Sequence, residues 1–91
     1  MAVTIRVPTP LRRNVGGAPK VQATGSSILG LIDDIERQFP GFKDRICEDD
    51  GTVKRHMNLF LNGEDIRFAQ GIETPVKDGD EMSIIPANSG G

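Results

Sequence analysis

One segment, SSILGLIDDIERQFP at residues 26–40, governs what the rest of the chain can do. Ile28, Leu31, Ile32, Ile35 and Phe39 recur at three- and four-residue spacing, which lays a single apolar stripe along one side of a helix. Ser26 or Ser27 can accept a backbone N–H bond and cap its start. Pro40 cannot continue the ladder and biases Phe39 away from helical geometry, so the helix stops there. Gly30 in its interior costs about 1 kcal/mol relative to Ala, which points to close packing at that position. A helix with one apolar stripe needs one apolar surface to lie on. The alternating segments around it can supply that surface only as one face of a sheet.

Those segments can be traced in order. In AVTIRVP, residues 2–8, Val3, Ile5 and Val7 point one way and Thr4 and Arg6 the other, the pattern of a half-buried strand closed by Pro8 and Pro10. RRNVGGAPK is expected to be a turn or loop around Gly16 and Gly17. KVQAT, residues 20–24, is predicted as a second strand pairing with the first. Beyond the helix, GFKDRICEDDG is expected to hold a short helical turn with Phe42 and Ile46 facing inward. HMNLFLN, residues 56–62, alternates with Met57, Leu59 and Leu61 on one face. Asn62-Gly63 is a hairpin signal, because both positions tolerate positive φ. A short strand, EDIRF, follows, with Phe68 left open between core and surface. DGD at 78–80 then turns into a last strand, EMSIIP, with Met82 and Ile84 inward. The order strand, strand, helix, strand, short strand, strand predicts an α+β fold. It is a mixed sheet of about five strands with one main helix on one face, the β-grasp or ubiquitin-like architecture. The domain is expected to span residues 1–86, leaving 87–91 as a flexible tail ending in Gly-Gly.

Chemistry is scarce in the body of the chain. A 91-residue domain buries only about two-thirds of its unfolded surface and has little room for an enclosed active site. His56 is the single histidine and Cys47 the single cysteine, which leaves a triad, a zinc site or an internal disulfide without partners. His56 is expected on the sheet surface, and Cys47 as a partly buried, inert thiol. EDDG (48–51) and DGD (78–80) gather carboxylates around glycine but lack the ligand spacing of a calcium loop. They are read as turns in which Asp bonds to backbone. The net charge of −2, eleven basic residues scattered among thirteen acidic ones, and aromatics limited to four Phe argue against nucleic acid as a partner. No apolar run approaches the roughly 20 residues of a membrane span. The amino terminus starts on strand-like alternation, not on the leader of a signal peptide. The expectation is a cytoplasmic protein with no membrane association, no intrinsic cofactor and no enzymatic activity.

What remains is surface and tail. Phe60 shares an outward face with Asn58 and Asn62, and Ile85 can join it there, so Phe60 and Ile85 are candidates for docking a partner. ANSGG then extends past Pro86. Such an end, free of bulky or charged side chains, can thread a narrow channel and present the Gly91 carboxylate to another protein's active site. The stretches VPTPLR, GG at 16–17, NLFLNGEDIRF at 58–68, GIETPVKDGDEMSIIPA and the closing GG resemble the ubiquitin-like sulfur carriers of the ThiS/MoaD type. The similarity is greatest to the cysteine-biosynthesis branch of that family and runs along essentially the whole chain. Asn88 and Ser89 stand where the family often has small apolar residues.

The resemblance implies a sulfur carrier. A partner of the ubiquitin-activating type, an adenylyltransferase and sulfurtransferase, would use ATP to turn the Gly91 carboxylate into an acyl-adenylate. A sulfur donor would then replace AMP and leave a thiocarboxylate. Gly90 and Ser89 would give clearance in the partner's channel. In the cysteine branch the acceptor would be a pyridoxal-phosphate cysteine synthase, and a metalloprotease would trim the product from the tail. Molybdopterin or thiamin synthesis are the other destinations the family implies. Two readings stand beside this one: a protein modifier conjugated through Gly91, and a non-covalent ubiquitin-like interaction module.

Overall fold

The computed structural model describes residues 2–86. Five strands form one sheet: β1 (Ala2–Arg6), β2 (Lys20–Thr24), β3 (Met57–Leu61), β4 (Glu64–Asp65) and β5 (Glu81–Pro86), in the spatial order β2-β1-β5-β3-β4. β1 runs parallel to β5, with Ile5 opposite Met82, and the other neighbours are antiparallel. The sheet is therefore mixed, as expected.

α1 (Ile28–Gln38) lies on one face of this sheet. Its stripe residues Ile28, Leu31, Ile32 and Ile35 are completely buried, against a surface that includes Val3, Ile5, Ala23, Leu59, Met82 and Ile84. Burying each such side chain contributes about 1.5–3 kcal/mol. Ser27 caps the helix, its Oγ accepting from the Gly30 N–H at 3.1 Å. Phe39, the last residue of the stripe, packs at the core's margin. The Asp34 carboxylate accepts the Thr24 N–H at 2.9 Å and bonds from Arg37 and Gln38, which ties the helix to β2. The Thr24 bond is the main reason its carboxyl is held below its usual value.

α2 (Lys43–Ile46) is the anticipated short turn, with Phe42 and Ile46 fully buried. Glu36 of α1 holds its start by accepting from the N–H groups of Gly41 and Lys43. Lys43 Nζ adds an ion pair with Asp33 at 2.8 Å. No helix among the described residues is long and apolar enough to cross a membrane.

Three local expectations need correction. The chain does turn at Gly16 and Gly17 as expected, but residues 12–15 of the anticipated loop belong to a 3-10 helix, Thr9–Val15, which buries Leu11 and Val15 and ends at Gly16. Pro8 and Pro10 ahead of Leu11 and the polar run Arg12-Arg13-Asn14 after it give no apolar period from which this helix could be read. EDIRF is not a strand throughout: pairing stops after Asp65, and Ile66–Phe68 turns as a 3-10 helix that buries Ile66 and leaves Phe68 83% exposed. His56 sits in the turn before β3, exposed, rather than in the strand.

The close approach also lies at Gly25, five residues before Gly30. A Cβ on Gly25 would stand 2.8 Å from the Gly30 carbonyl carbon and 2.9 Å from the Leu31 nitrogen, whereas one on Gly30 would meet ordinary contacts at 3.6 Å. The chain entering α1 crosses its first turn so closely that only glycine fits at 25. We predict that Gly25→Ala lowers the unfolding free energy by about 1–3 kcal/mol, the range for overpacking. Gly30→Ala should instead be neutral or stabilising, by up to about 1 kcal/mol of helix propensity. Urea titrations of the two variants check this ordering, and equal destabilisation by both would contradict it.

Candidate functional site

The parallel pairing of β1 with β5 decides where the end of the chain is delivered. Parallel strands finish at the same end of a sheet, so Pro86 comes to lie beside the segment that follows β1. Pro8, Thr9 and Pro10 line an open cleft of about 450 Å³ with Ile84, Ile85 and Pro86. On the other flank Met57 lies opposite Pro86. Proline has no N–H to donate, so the ladder cannot carry on unchanged through that position. Ser89, Gly90 and Gly91, the tail residues singled out above, lie outside the described residues.

The sheet face turned away from α1 carries the other two candidates. Across the β3–β5 ladder Asn58 lies opposite Ile85 and Phe60 opposite Ser83, so Phe60 and Ile85 are diagonal neighbours on one face. Ile85 is 45% exposed, while Phe60 is only half-buried. The face is otherwise polar. Gln22 donates to Thr4 Oγ1 at 2.8 Å, and Arg6 pairs with Glu81 at 3.5 Å.

On the β4 side, Asp65 lies opposite Phe60 and is nearly buried. Its carboxylate caps the following turn through the Arg67 N–H and receives the Arg67 guanidinium at 2.8 Å. Arg67 reaches on to Asn58 Oδ1, also at 2.8 Å, and so fastens the edge strand β4 to β3. Sequence reasoning missed this bracket, because the two-residue separation of Asp65 and Arg67 says nothing about the third partner.

The hairpin joining β3 and β4 is as expected: Asn62 and Gly63 both have positive φ, 52° and 89°. Asn62 also exchanges side-chain bonds with Asp80 and the Glu81 N–H, which pins the turn to the start of β5. Both carboxylate clusters form turns of the kind anticipated. Asp50 accepts from the Thr52 N–H and hydroxyl, and Asp80 from the Lys77 N–H. Among the described residues no three metal-ligating side chains gather. Cys47 is buried, and burial raises its thiol above the usual value. A buried thiol held in its neutral form is a poor nucleophile.

The ThiS family model matches residues 5–91. The chain belongs to the ThiS family. It is 38% identical over its full length to the sulfur carrier protein CysO of Mycobacterium tuberculosis, all of which is covered. It superposes on a chain in the crystal structure of the Amycolatopsis orientalis BexX/CysO complex with a TM-score of 0.92. That match has 43% sequence identity and covers 98% of this chain and 99% of the other. It is also 34% identical over 66 residues to small archaeal modifier protein 3 of Haloferax volcanii, covering 72% of this chain and 71% of that one. The ubiquitin-like β-grasp assignment holds, and the chain is of the sulfur-carrier type, not an enzyme.

The Arg67 bracket has a pH signature. Hydrogen bonds from the Arg67 side chain, and then from its backbone N–H, hold the Asp65 carboxyl below its usual 3.8. A carboxyl whose folded pKa is depressed adds stability above its unfolded pKa and loses it as pH falls through the folded value. We therefore predict that the Asp65 contribution to stability is constant at neutral pH and declines only below about pH 4. In carbon-detected NMR titrations Asp65 should titrate below 3.8. Arg67→Gln should move its midpoint upward, and an unmoved midpoint would show that the bracket does not govern this carboxyl.

Proposed function

We propose that the chain delivers sulfur on its own carboxyl end. One observation carries this reading: the family match extends through residue 91, on a fold whose last strand runs out beside β1 at one end of the sheet. The body offers a rigid handle, and the Gly91 carboxylate is its reactive group. A carboxylate is a poor electrophile, because its charge is delocalised and it lacks a good leaving group. A partner of the ubiquitin-activating type adenylates it with ATP, releasing pyrophosphate and making AMP the leaving group of the next step. Sulfide sulfur from a donor displaces AMP and leaves a thiocarboxylate, which is ionised and nucleophilic at neutral pH. Gly90 and Ser89 pass through the partner's channel without steric conflict.

The destination we favour is cysteine synthesis. The thiocarboxylate sulfur takes the place of the activating group on a serine derivative held by a pyridoxal-phosphate enzyme, forming the new C–S bond as that group leaves with the former hydroxyl oxygen. The adduct rearranges to an amide, and a metalloprotease releases cysteine. ATP, pyridoxal phosphate and the protease metal belong to those partners. The full-length similarity to CysO of Mycobacterium tuberculosis supports this branch over molybdopterin or thiamin synthesis. The solved Amycolatopsis orientalis relative is in complex with BexX, so a carrier of this shape engages another protein. We assign the same role here to the face bearing Phe60 and Ile85. The similarity to a small archaeal modifier protein favours a second reading, in which the adenylated Gly91 is joined to lysines.

Intact-mass measurement of the protein from its native host separates the two. A species heavier by the exchange of one oxygen for one sulfur, alkylatable and confined to the last peptide, is the expected result. Lysine-linked ladders without that species would give the modifier reading instead. Deleting Gly91 should abolish thiocarboxylate formation without changing the melting temperature. Ile85→Asp should keep the fold and raise the KM of the activating enzyme for this carrier about tenfold, roughly the loss of one interface anchor.

A further inference from the structure

A second hollow lies on the far side of β3 from β5. β4 pairs with β3 only at Phe60 and Leu61. Beside the first half of β3, segments 52–55 and 65–72 enclose an open groove of about 360 Å³. Val53, Met57, Leu59, Ile66 and Ile72 form its apolar walls. Lys54 and Arg55 also line it, and neither joins an ion pair among the described residues. Arg67, the third cation there, is already held by Asp65 and Asn58. Phe68, the most exposed large apolar side chain among the described residues, follows Arg67 directly.

An apolar hollow of this size matches the lower range of sites that take a side chain or small molecule. Its lip carries two uncommitted positive charges in a chain whose net charge is −2. That combination selects against neutral and basic segments and favours an apolar group with carboxylates beside it. The groove is separate from the face of Phe60 and Ile85: Met57 and Leu59 alternate with Phe60 along β3 and point to the helix side. It nevertheless lies close to the end of β5, because Met57 lies opposite Pro86. Five residues beyond Pro86 span at most about 18 Å when extended, so a protein seated there can place an active site within their reach.

Building on the carrier reading, we propose that this groove docks a partner protein through an apolar side chain flanked by Asp or Glu. The apolar group enters between Val53, Met57 and Ile72, and the carboxylates meet Lys54 and Arg55. The partner thereby holds the body of the carrier while the tail enters its active site.

The full chain, labelled with nitrogen-15, is titrated with the blocked peptide acetyl-Glu-Asp-Leu-Phe-Asp-amide and with its analogue carrying Lys at each acidic position. The acidic peptide should shift the amides of Val53, Met57, Leu59 and Ile72 in a saturable way. It should bind at least about tenfold more tightly than the lysine peptide and weaken as salt is raised. The double variant Lys54→Glu/Arg55→Glu should reverse that preference while keeping its melting temperature. Ile72→Glu should lose binding of the acidic peptide.

Equal affinity for both peptides, or shifts confined to Phe60 and Ile85, would overturn the proposal. Two other results would also overturn it. Changes at the groove amides on deleting residues 87–91 would assign the groove to the chain's own tail. Concentration-dependent shifts without peptide would assign it to a second copy. Thiocarboxylate formation, read by intact mass in the same samples, tests the carrier reading separately. Its absence would sink that reading even if the groove binds, and its presence without groove binding would sink only the docking proposal.

Discussion

The parallel ladder between β1 and β5 is short, Thr4 to Arg6 against Glu81 to Ser83, yet the rest of the molecule is arranged around it. Two parallel neighbours cannot be joined by a tight turn, so everything from the end of β1 to residue 80 has to serve as the connection. That long connection contributes β2 on one flank, β3 and β4 on the other, and α1 across the face between them. With one helix available, only one face of the sheet can be covered. The opposite face stays open, and its polar rows are interrupted by Phe60 and Ile85.

The same ladder links fold to function. Because β1 and β5 run the same way, β5 ends at the border of the sheet between the Pro8–Pro10 segment and Met57. A carrier needs its reactive end beyond its body and its body rigid enough to be gripped. The rigidity comes from buried aliphatic packing reinforced by side chains that accept backbone N–H groups across elements. Asp34 joins α1 to β2, Glu36 joins α1 to α2, and Asn62 with Asp80 joins the β3–β4 turn to β5. Asp34, Glu36 and Asp80 thus serve the architecture, in keeping with the proposal that the reactive group is the Gly91 carboxylate.

Much of this was legible beforehand, and the legible parts share a cause. The stripe of α1, the alternation in β1, β2, β3 and β5, and the Asn62-Gly63 turn are local patterns whose period or backbone demand shows in a few consecutive residues. The parts that were misread depend on contacts between segments. Leu11 and Val15 are helical because the core needs them there, although their neighbours suggest a loop. EDIRF reads as a strand, but Asp65 caps a turn after β4 that carries Phe68, left open between core and surface by its sequence, away from the sheet. Gly25 gives no sequence signal of its tight fit, since the obstructing atoms belong to the following helix's backbone.

By itself the sequence determined that one amphipathic helix would cover one side of a sheet, that the body would hold little catalytic chemistry, and that its notable chemical feature would be the Gly-Gly end. Period and composition are properties of neighbouring residues, so they survive without coordinates. Only the tertiary structure decided that Pro86 shares a cleft with Pro8 and Pro10, that Arg67 spans from Asp65 to Asn58, and that Lys54 and Arg55 stand over an apolar groove. Each of those joins residues far apart in the chain or depends on the exact course of a turn. Such juxtapositions exist only once the long-range strand pairing has been made.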